Sequence, residues 1–128
     1  MAEEKVIRGY RLTPFANCAG AALDHVLLAG ANLYNIDLRD AELREANLSG
    51  CYLAEANLSG ANLTNANLAN ANLSGANLRG AILIGADLSS TNLRRTDLSG
   101  ARTSGMSLAG AQFCHTVMPD LRLNDQHC

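Results

Sequence analysis

The sequence has little of what a conventional core or a strongly charged binding surface needs. Tryptophan is absent, aromatic residues make up 4% of the 128 residues, and only two prolines occur. A core built on large rings is therefore not expected. The 10 basic and 12 acidic residues nearly balance, so no excess charge indicates nucleic acid or an anionic membrane as a partner. No segment approaches the roughly 18 apolar residues that cross a bilayer, so we expect no membrane association.

The amino terminus and the cysteines indicate a cytoplasmic protein. The first residues, MAEEKVIRGYRL, are mixed in charge and lack the apolar stretch of a signal peptide. The four cysteines lie far apart in the sequence and form no close-spaced pair: Cys18, Cys51, Cys114 and Cys128. This spacing is typical of reduced thiols rather than of a disulfide framework. A cytoplasmic location is the resulting prediction.

What the sequence does contain is a five-residue repeat that runs without a gap from 16 to 120, giving 21 pentads. Ala holds the first position 14 times, Asn or Asp the second 12 times and Leu the third 17 times. Of the 11 glycines, 10 hold the fifth position. On an α-helix a five-residue step leaves successive leucines about 140° apart, so no single face is apolar. On a flat strand an odd period sends alternate leucines to opposite faces.

The repeat becomes intelligible if each pentad makes a short extended piece and then a bend. The first and third residues then point inward, the second points outward, and the fourth and fifth form the corner. Gly at the fifth position suits a corner with positive φ, and Asn35, Asn65 and Asn70 are the next most tolerant choice. A chain that bends in this way climbs as a coil, with adjacent coils about 4.8 Å apart.

The motif resembles the A(D/N)LXX signature of the pentapeptide repeat family, and the run ANLTNANLANANLSGANLRGA is close to ideal. The resemblance covers residues 16–120. It implies an all-β fold, a right-handed quadrilateral β-helix (a solenoid) with four pentads per coil. The 21 pentads then make about five coils and a rod of roughly 24 Å. We divide the chain into an N-terminal capping segment (1–15), the repeat β-helix (16–120) and a C-terminal cap or tail (121–128).

The same assignment predicts which residues are buried. Leu at the third position and Ala at the first fill the core, with Cys18 and Cys51 also inward. Thr91 and Thr96 turn hydroxyls inward to backbone carbonyls. Met106 is expected to compensate for Thr103, which replaces a third-position Leu.

The two open ends of the solenoid need covers. We expect Leu12 and Phe15 to plug the first coil, and Leu121 and Leu123 to cover the last. The extreme residues, Met1 to Glu4 and Asp125 to Cys128, are expected to fray.

No catalytic or cofactor motif is present, so we expect no enzyme activity, no cofactor and no small-molecule substrate. His25 and His115 hold corner positions, where a solvated side chain is expected. Cys114–His115 and His127–Cys128 match no zinc spacing. Adjacent residues of an extended segment also point in opposite directions, and the second pair lies in the tail. The sequence therefore predicts no metal site.

The surface supplies the candidate functional residues. Ile82 and Ile84 make a small apolar patch on one face, while Tyr34 and Tyr52 lie on another face in adjacent coils. Arg94 and Arg95 belong to a mildly basic far end, opposite an acidic end that carries Asp24, Asp37, Asp40, Glu42, Glu45 and Glu55. These apolar, aromatic and basic residues are the candidate partner surface. Harmless surface hydrophobes are the alternative interpretation of both apolar groups.

Two functions remain open. The first is a non-catalytic interaction scaffold that binds an unidentified protein. The second is a DNA mimic that modulates a type II topoisomerase such as gyrase, which the family resemblance implies for some members. A mimic needs dense negative charge, whereas the repeat region has nine acids against six arginines and a neutral middle. We therefore favour the scaffold, with no direct binding of nucleic acid.

Overall fold

The computed structural model describes residues 5–128, and in it the second residue of each pentad pairs with the residue 20 positions later. Seventeen isolated parallel bridges follow this rule among the described residues, from Asn17↔Asp37 to Asp97↔Val117. Four pentads therefore return the chain to the same side, one coil further along. The chain is a parallel β-helix with a 20-residue coil. The prediction from the pentad register is confirmed in this respect.

Backbone hydrogen bonds show why the pentad is a stable unit. In a central pentad, Leu63 and Asn65 donate their N–H groups forward, to Ile82 O (2.7 Å) and Ile84 O (2.9 Å). Ile82 donates back to Ala61 O (2.9 Å). Ala66 donates to Leu63 O (2.9 Å), which closes a four-residue turn with positive φ at Asn65. This is the pattern of a type II turn, so each corner is hydrogen-bonded as well as each coil contact.

Positive φ holds at all twenty fifth positions from Gly20 to His115. Ten of these residues are Gly and ten are not. The non-glycine residues are His25, Asn35, Asp40, Glu45, Glu55, Asn65, Asn70, Ser90, Arg95 and His115. A left-handed conformation costs an L-residue about 1–2 kcal/mol, so the coil contacts impose the corner even where the sequence does not favour it.

The predicted core is confirmed for 16 of the 17 third-position leucines. Cys18 and Cys51 are buried as predicted, and Thr96 Oγ1 donates to Leu73 O (2.7 Å). The exception is Leu108, which is half-buried together with Thr103 and Met106. Met106 packs against the core without being enclosed by it, because these residues lie in the last coil. The compensation of Thr103 by Met106 stays a prediction.

The N-terminal cap is an antiparallel hairpin of β1 (Val6–Ile7) and β2 (Tyr10–Arg11). Leu12 is buried as predicted, but Phe15 is 68% exposed, so its assignment as a plug is wrong. Phe15 has φ 65° and donates its N–H to Tyr34 O, as fifth-position residues do, which turns its ring outward. Arg8 covers the coil edge instead, donating to Ala22 O (3.1 Å) and Asp24 O (2.8 Å).

The C-terminal cap is a second antiparallel hairpin, β3 (Thr116–Val117) with β4 (Leu123–Asn124). Leu121 and Leu123 are 71% and 58% exposed, so the predicted lid is wrong. Both lie in the hairpin and its turn, outside the pentad register, and their side chains point away from the core.

The expectation of four free thiols is also wrong. Cys114 and Cys128 form a disulfide across 14 residues, while Cys18 and Cys51 are free. The tail is held rather than frayed, since His127 N–H donates to Phe113 O (2.7 Å). The predicted fraying of Met1 to Glu4 lies outside the described residues. Within the part of the chain that the structure describes, no helix has the length and apolarity to span a membrane.

Candidate partner-binding face

The 20-residue coil gives the rod four sides, and one of them collects most of the predicted surface residues. This side, which we call the aromatic face, consists of 11–15, 31–35, 51–55, 71–75, 91–95 and 111–115. Its second-position residues are joined by consecutive bridges, Asn32↔Tyr52, Tyr52↔Asn72, Asn72↔Asn92 and Asn92↔Gln112. Residues on this face thus have a fixed spacing set by the backbone.

Three aromatic rings form a row at the N-terminal half of this face. Tyr34 and Tyr52 stack with centroids 5.7 Å apart and an interplanar angle of 19°. Phe15 meets Tyr34 edge-on, with centroids 5.5 Å apart. Tyr52 is 42% exposed, and beside the two tyrosines Ala54 is buried although it holds a corner position. The predicted proximity of Tyr34 and Tyr52 is therefore observed, and the structure adds Phe15, which sequence reasoning had placed inside.

Charged residues lie further along the same face, from Glu55 in the pentad of Tyr52 to Arg94 and Arg95. Arg95 Nη1 lies 3.7 Å from Glu55 Oε1, across two coils. The Glu55 carboxylate lies against Gly75, in the space that a Cβ there would need. Arg94 holds the same position in its pentad as Tyr34, three coils later, which is about 14 Å at the strand spacing. Arg94 and Arg95 therefore share a face with the aromatic row.

The two isoleucines lie on the opposite side of the rod, two pentads away from the aromatic face in each direction. Ile82 bridges Asn62 and Arg102, and Ile84 O accepts the N–H of Asn65. Both side chains are half-buried rather than exposed. The structure therefore does not bring Ile82 and Ile84 together with the tyrosines, and the six predicted residues divide between two faces.

Ion pairs cover much of the negative charge. Six of the nine acids in the repeat region have an arginine within 4 Å: Asp24, Asp37, Glu42, Glu55, Asp97 and Asp120. A seventh, Glu45, has a carboxylate oxygen 3.2 Å from His25 Nδ1. Arg44 contacts both Asp24 (3.4 Å) and Glu42 (3.2 Å) at the acidic end. Exposed pairs such as these add little stability, but they locally balance the negative charge.

Two acids, Asp87 and the ion-paired Asp97, also accept hydrogen bonds at turns of the backbone. Hydrogen bonds from the hydroxyl and N–H of Ser89 lower the pKa of Asp87. Burial raises the pKa of Asp97, but the hydrogen bonds from Ser99 and the charge of Arg79 outweigh it and leave that pKa lowered. Both carboxylates therefore accept hydrogen bonds as part of the corner. The Ser59 N–H donates to Asn57 Oδ1 in the same way (3.1 Å). The side-chain oxygen of a second-position residue therefore helps to hold the corner of its own pentad.

These features define a class: a β-helical repeat protein with one aromatic and basic face. The Pentapeptide repeats family model matches eight copies, over residues 16–53, 56–95, 71–105 and 91–125. The chain therefore belongs to the pentapeptide repeat family. Solved proteins of this family are right-handed quadrilateral β-helices, as the resemblance implied.

Several solved structures are similar. Rfr23, a pentapeptide repeat protein from the cyanobacterium Cyanothece 51142, is 42% identical over 67% of this chain and 58% of its own, with a TM-score of 0.67. HetL, a pentapeptide repeat protein involved in heterocyst differentiation regulation in Nostoc sp. Strain PCC 7120, is 36% identical over 88% of this chain and 55% of its own (TM-score 0.68). The chain thus spans somewhat more than half the length of these two relatives. No curated protein matches it.

One of the similar structures is that of a drug-resistance protein. QnrB1, a plasmid-mediated fluoroquinolone resistance protein, is 27% identical over 76% of this chain and 47% of its own, with a TM-score of 0.72. The two chains are similar in their fold and in their five-residue repeat.

Proposed function

We propose that this chain is a non-catalytic scaffold whose aromatic face binds a protein partner. The observation that carries the proposal is the row formed by Phe15, Tyr34 and Tyr52 on the outside of the rod, in which the Tyr34 ring contacts the other two. Aromatic rings bring a large apolar area to an interface at little entropic cost. Tyr and Arg are also enriched at interface hot spots, and Arg94 and Arg95 complete the same face.

The backbone favours this use because it presents the row rigidly. Tyr52 donates its N–H to Ala31 O (3.0 Å), and Leu53 donates to Asn72 O (2.8 Å), so the pentad below the rings is fixed on both sides. A flexible surface loses binding affinity because it must become ordered when the partner binds. The backbone hydrogen bonds of this rod already order the surface that carries the rings. We take the rod to have about five coils built from 21 pentads, with the aromatic face along its whole length.

The absence of catalysis is part of the proposal. Most carboxylates of the repeat are engaged in ion pairs or turns, as described above. Burial raises the pKa of the Cys51 thiol, and burial with the charge of Asp37 raises that of Cys18, so neither is a ready nucleophile. We propose a cytoplasmic protein with no small-molecule substrate and no direct contact with nucleic acid.

Affinity capture with matched variants tests the proposal. Tyr52→Asn restores the commonest second-position residue and removes one ring, while Ile82→Asn makes the same kind of change on the opposite face. We expect the partner of the wild-type chain to be lost with Tyr52→Asn and retained with Ile82→Asn. Equal retention of the partner by both variants would contradict the aromatic face as the binding surface.

A second candidate function is modulation of a type II topoisomerase by DNA mimicry. The likeness to QnrB1 favours it. The charge pattern opposes it, because a duplex presents a phosphate charge about every 1.7 Å and most acids here are paired with bases. We therefore rank it below the scaffold.

A further inference from the structure

The C-terminal cap brings four potential metal ligands into one cluster, which we call the cap cluster. It consists of Cys114, His115, Asp125 and Cys128, whose ligand atoms all lie within 4.8 Å of one another. His115 Nδ1 is 3.1 Å from Asp125 Oδ1, and Cys128 Sγ is 3.5 Å from the same oxygen. The two sulfurs are joined as a disulfide in this structure.

Contacts other than the disulfide hold the tail against the last coil. The N–H of Phe113 donates to His127 Nδ1 (3.0 Å), and the His127 N–H donates back to Phe113 O (2.7 Å). The two rings stack with centroids 5.9 Å apart. The His115 N–H donates to Asp125 Oδ1 (2.6 Å). These side chains satisfy N–H groups at the open edge of the last coil, so the four ligands stay close together when the disulfide is opened.

The corner geometry explains why Cys114 and His115 point to the same place. Adjacent residues of an extended strand point to opposite sides, and on that ground the sequence predicts no metal site. His115, however, is a fifth-position residue with φ 51°. The chain bends there, and the tail returns to the same corner with Asp125 and Cys128.

We propose that the reduced cap cluster binds one zinc-like divalent cation, and that disulfide and metal are alternative states of the same four residues. Two thiolates, an imidazole nitrogen and a carboxylate oxygen make a four-ligand set of the kind that Zn²⁺ accepts tetrahedrally. Asp125 accepts the His115 N–H with Oδ1, which leaves its second carboxylate oxygen to bind the cation. Either state ties the tail to the last coil, so the cap is closed both with and without an oxidant.

Exchange between the two states requires a thiol reductant. A dithiol donates two electrons and two protons to the Cys114–Cys128 bond, giving two thiols, while its own sulfurs form a disulfide. Binding of the cation then releases the two thiol protons to solvent. Oxidation by a disulfide reverses the electron transfer and expels the metal.

Cobalt binding to the whole chain tests this inference, because Co²⁺ reports thiolate ligands by its absorption. We expect the reduced chain to bind one Co²⁺ with thiolate-to-cobalt absorption, and added Zn²⁺ to displace it. The oxidised chain should lack this absorption. Cys128→Ser should weaken binding by more than the about 10–100-fold typical of losing an outer-shell partner.

Matched variants identify the site. His25 and His115 are both corner residues with positive φ, and each lies near a carboxylate, Glu45 at 3.2 Å and Asp125 at 3.1 Å. His115→Asn should weaken binding and His25→Asn should leave it unchanged. Cys51→Ala, which installs the usual first-position residue, should also leave it unchanged. Failure of the reduced wild-type chain to show thiolate-to-cobalt absorption, or its persistence in Cys128→Ser, would overturn the proposal.

Discussion

Asn67 and Leu68 are consecutive residues with opposite environments: the Leu68 side chain is fully buried, and Asn67 is exposed with Oδ1 accepting the Ala69 N–H at 3.0 Å. The inward and outward assignment of the pentad depends on this contrast. Leu68→Ala should cost about 2–5 kcal/mol of unfolding free energy, the range for truncating a buried Leu. Asn67→Ala loses one hydrogen bond and should cost only about 0.5–1.5 kcal/mol.

Denaturant unfolding of both variants beside the wild type measures these costs. The comparison is internal, so errors in the unfolded reference state largely cancel. Equal losses at the two positions would mean that the assignment is wrong.

The thiols should differ in reactivity. Cys18 and Cys51 are buried and their thiol pKa values are raised, so a thiol reagent should label them only after unfolding. Cys114 and Cys128 should resist labelling until a reductant opens their disulfide. Mass spectrometry of labelled peptides, with and without reductant and denaturant, distinguishes the two groups. Rapid labelling of Cys51 in the folded chain would place first-position residues outside.

Acid should destabilise the fold partly through Asp87 and Asp97. The folded-state pKa of each carboxyl lies below its ordinary value. Their stabilisation is therefore fully present above about pH 4 and is lost as the pH falls through the folded-state pKa values.

The double variant Asp87→Asn with Asp97→Asn isolates this contribution. Asn57 already makes the equivalent bonds to Ser59, so the corners should be kept. Urea unfolding near pH 3 and pH 7 should show a smaller loss of stability in the double variant than in the wild type. An identical pH dependence would show that these two carboxylates do not contribute.

The charge pattern predicts no effect on gyrase. Asp37 pairs with Arg39 (3.0 Å), and Arg44 contacts both Asp24 (3.4 Å) and Glu42 (3.2 Å) at the acidic end, so no long negative strip is presented. The chain at modest excess should neither inhibit supercoiling nor rescue it from a quinolone. Dose-dependent inhibition that disappears when Asp37, Asp40, Glu42 and Glu45 are neutralised would support the topoisomerase function instead.

The sequence predicts the repeats well and the ends poorly, for a physical reason. Leu68 is buried because its own pentad and its neighbours repeat one local pattern, so a five-residue rule reaches every coil. The same rule places Tyr34 near Tyr52, since the coil length fixes which pentads meet. Leu121 and the Cys114–Cys128 disulfide depend on how the tail folds back, and no repeat encodes that path. Phe15 instead behaves as a fifth-position residue one pentad before the predicted repeat, so extending the register would have placed its ring outside.

Site-specific photo-cross-linking tests the central claim most directly. Asn62 and Asn72 are both half-buried second-position residues whose Oδ1 accepts the N–H two residues on, at 3.1 Å and 2.9 Å. Asn72 follows Tyr52 on the aromatic face, and Asn62 precedes Ile82 on the opposite one. A benzophenone side chain at 72 should give a specific protein adduct in the native cell, lost when Tyr52→Asn is added, and one at 62 should not. An adduct at 62 with none at 72 would contradict the account.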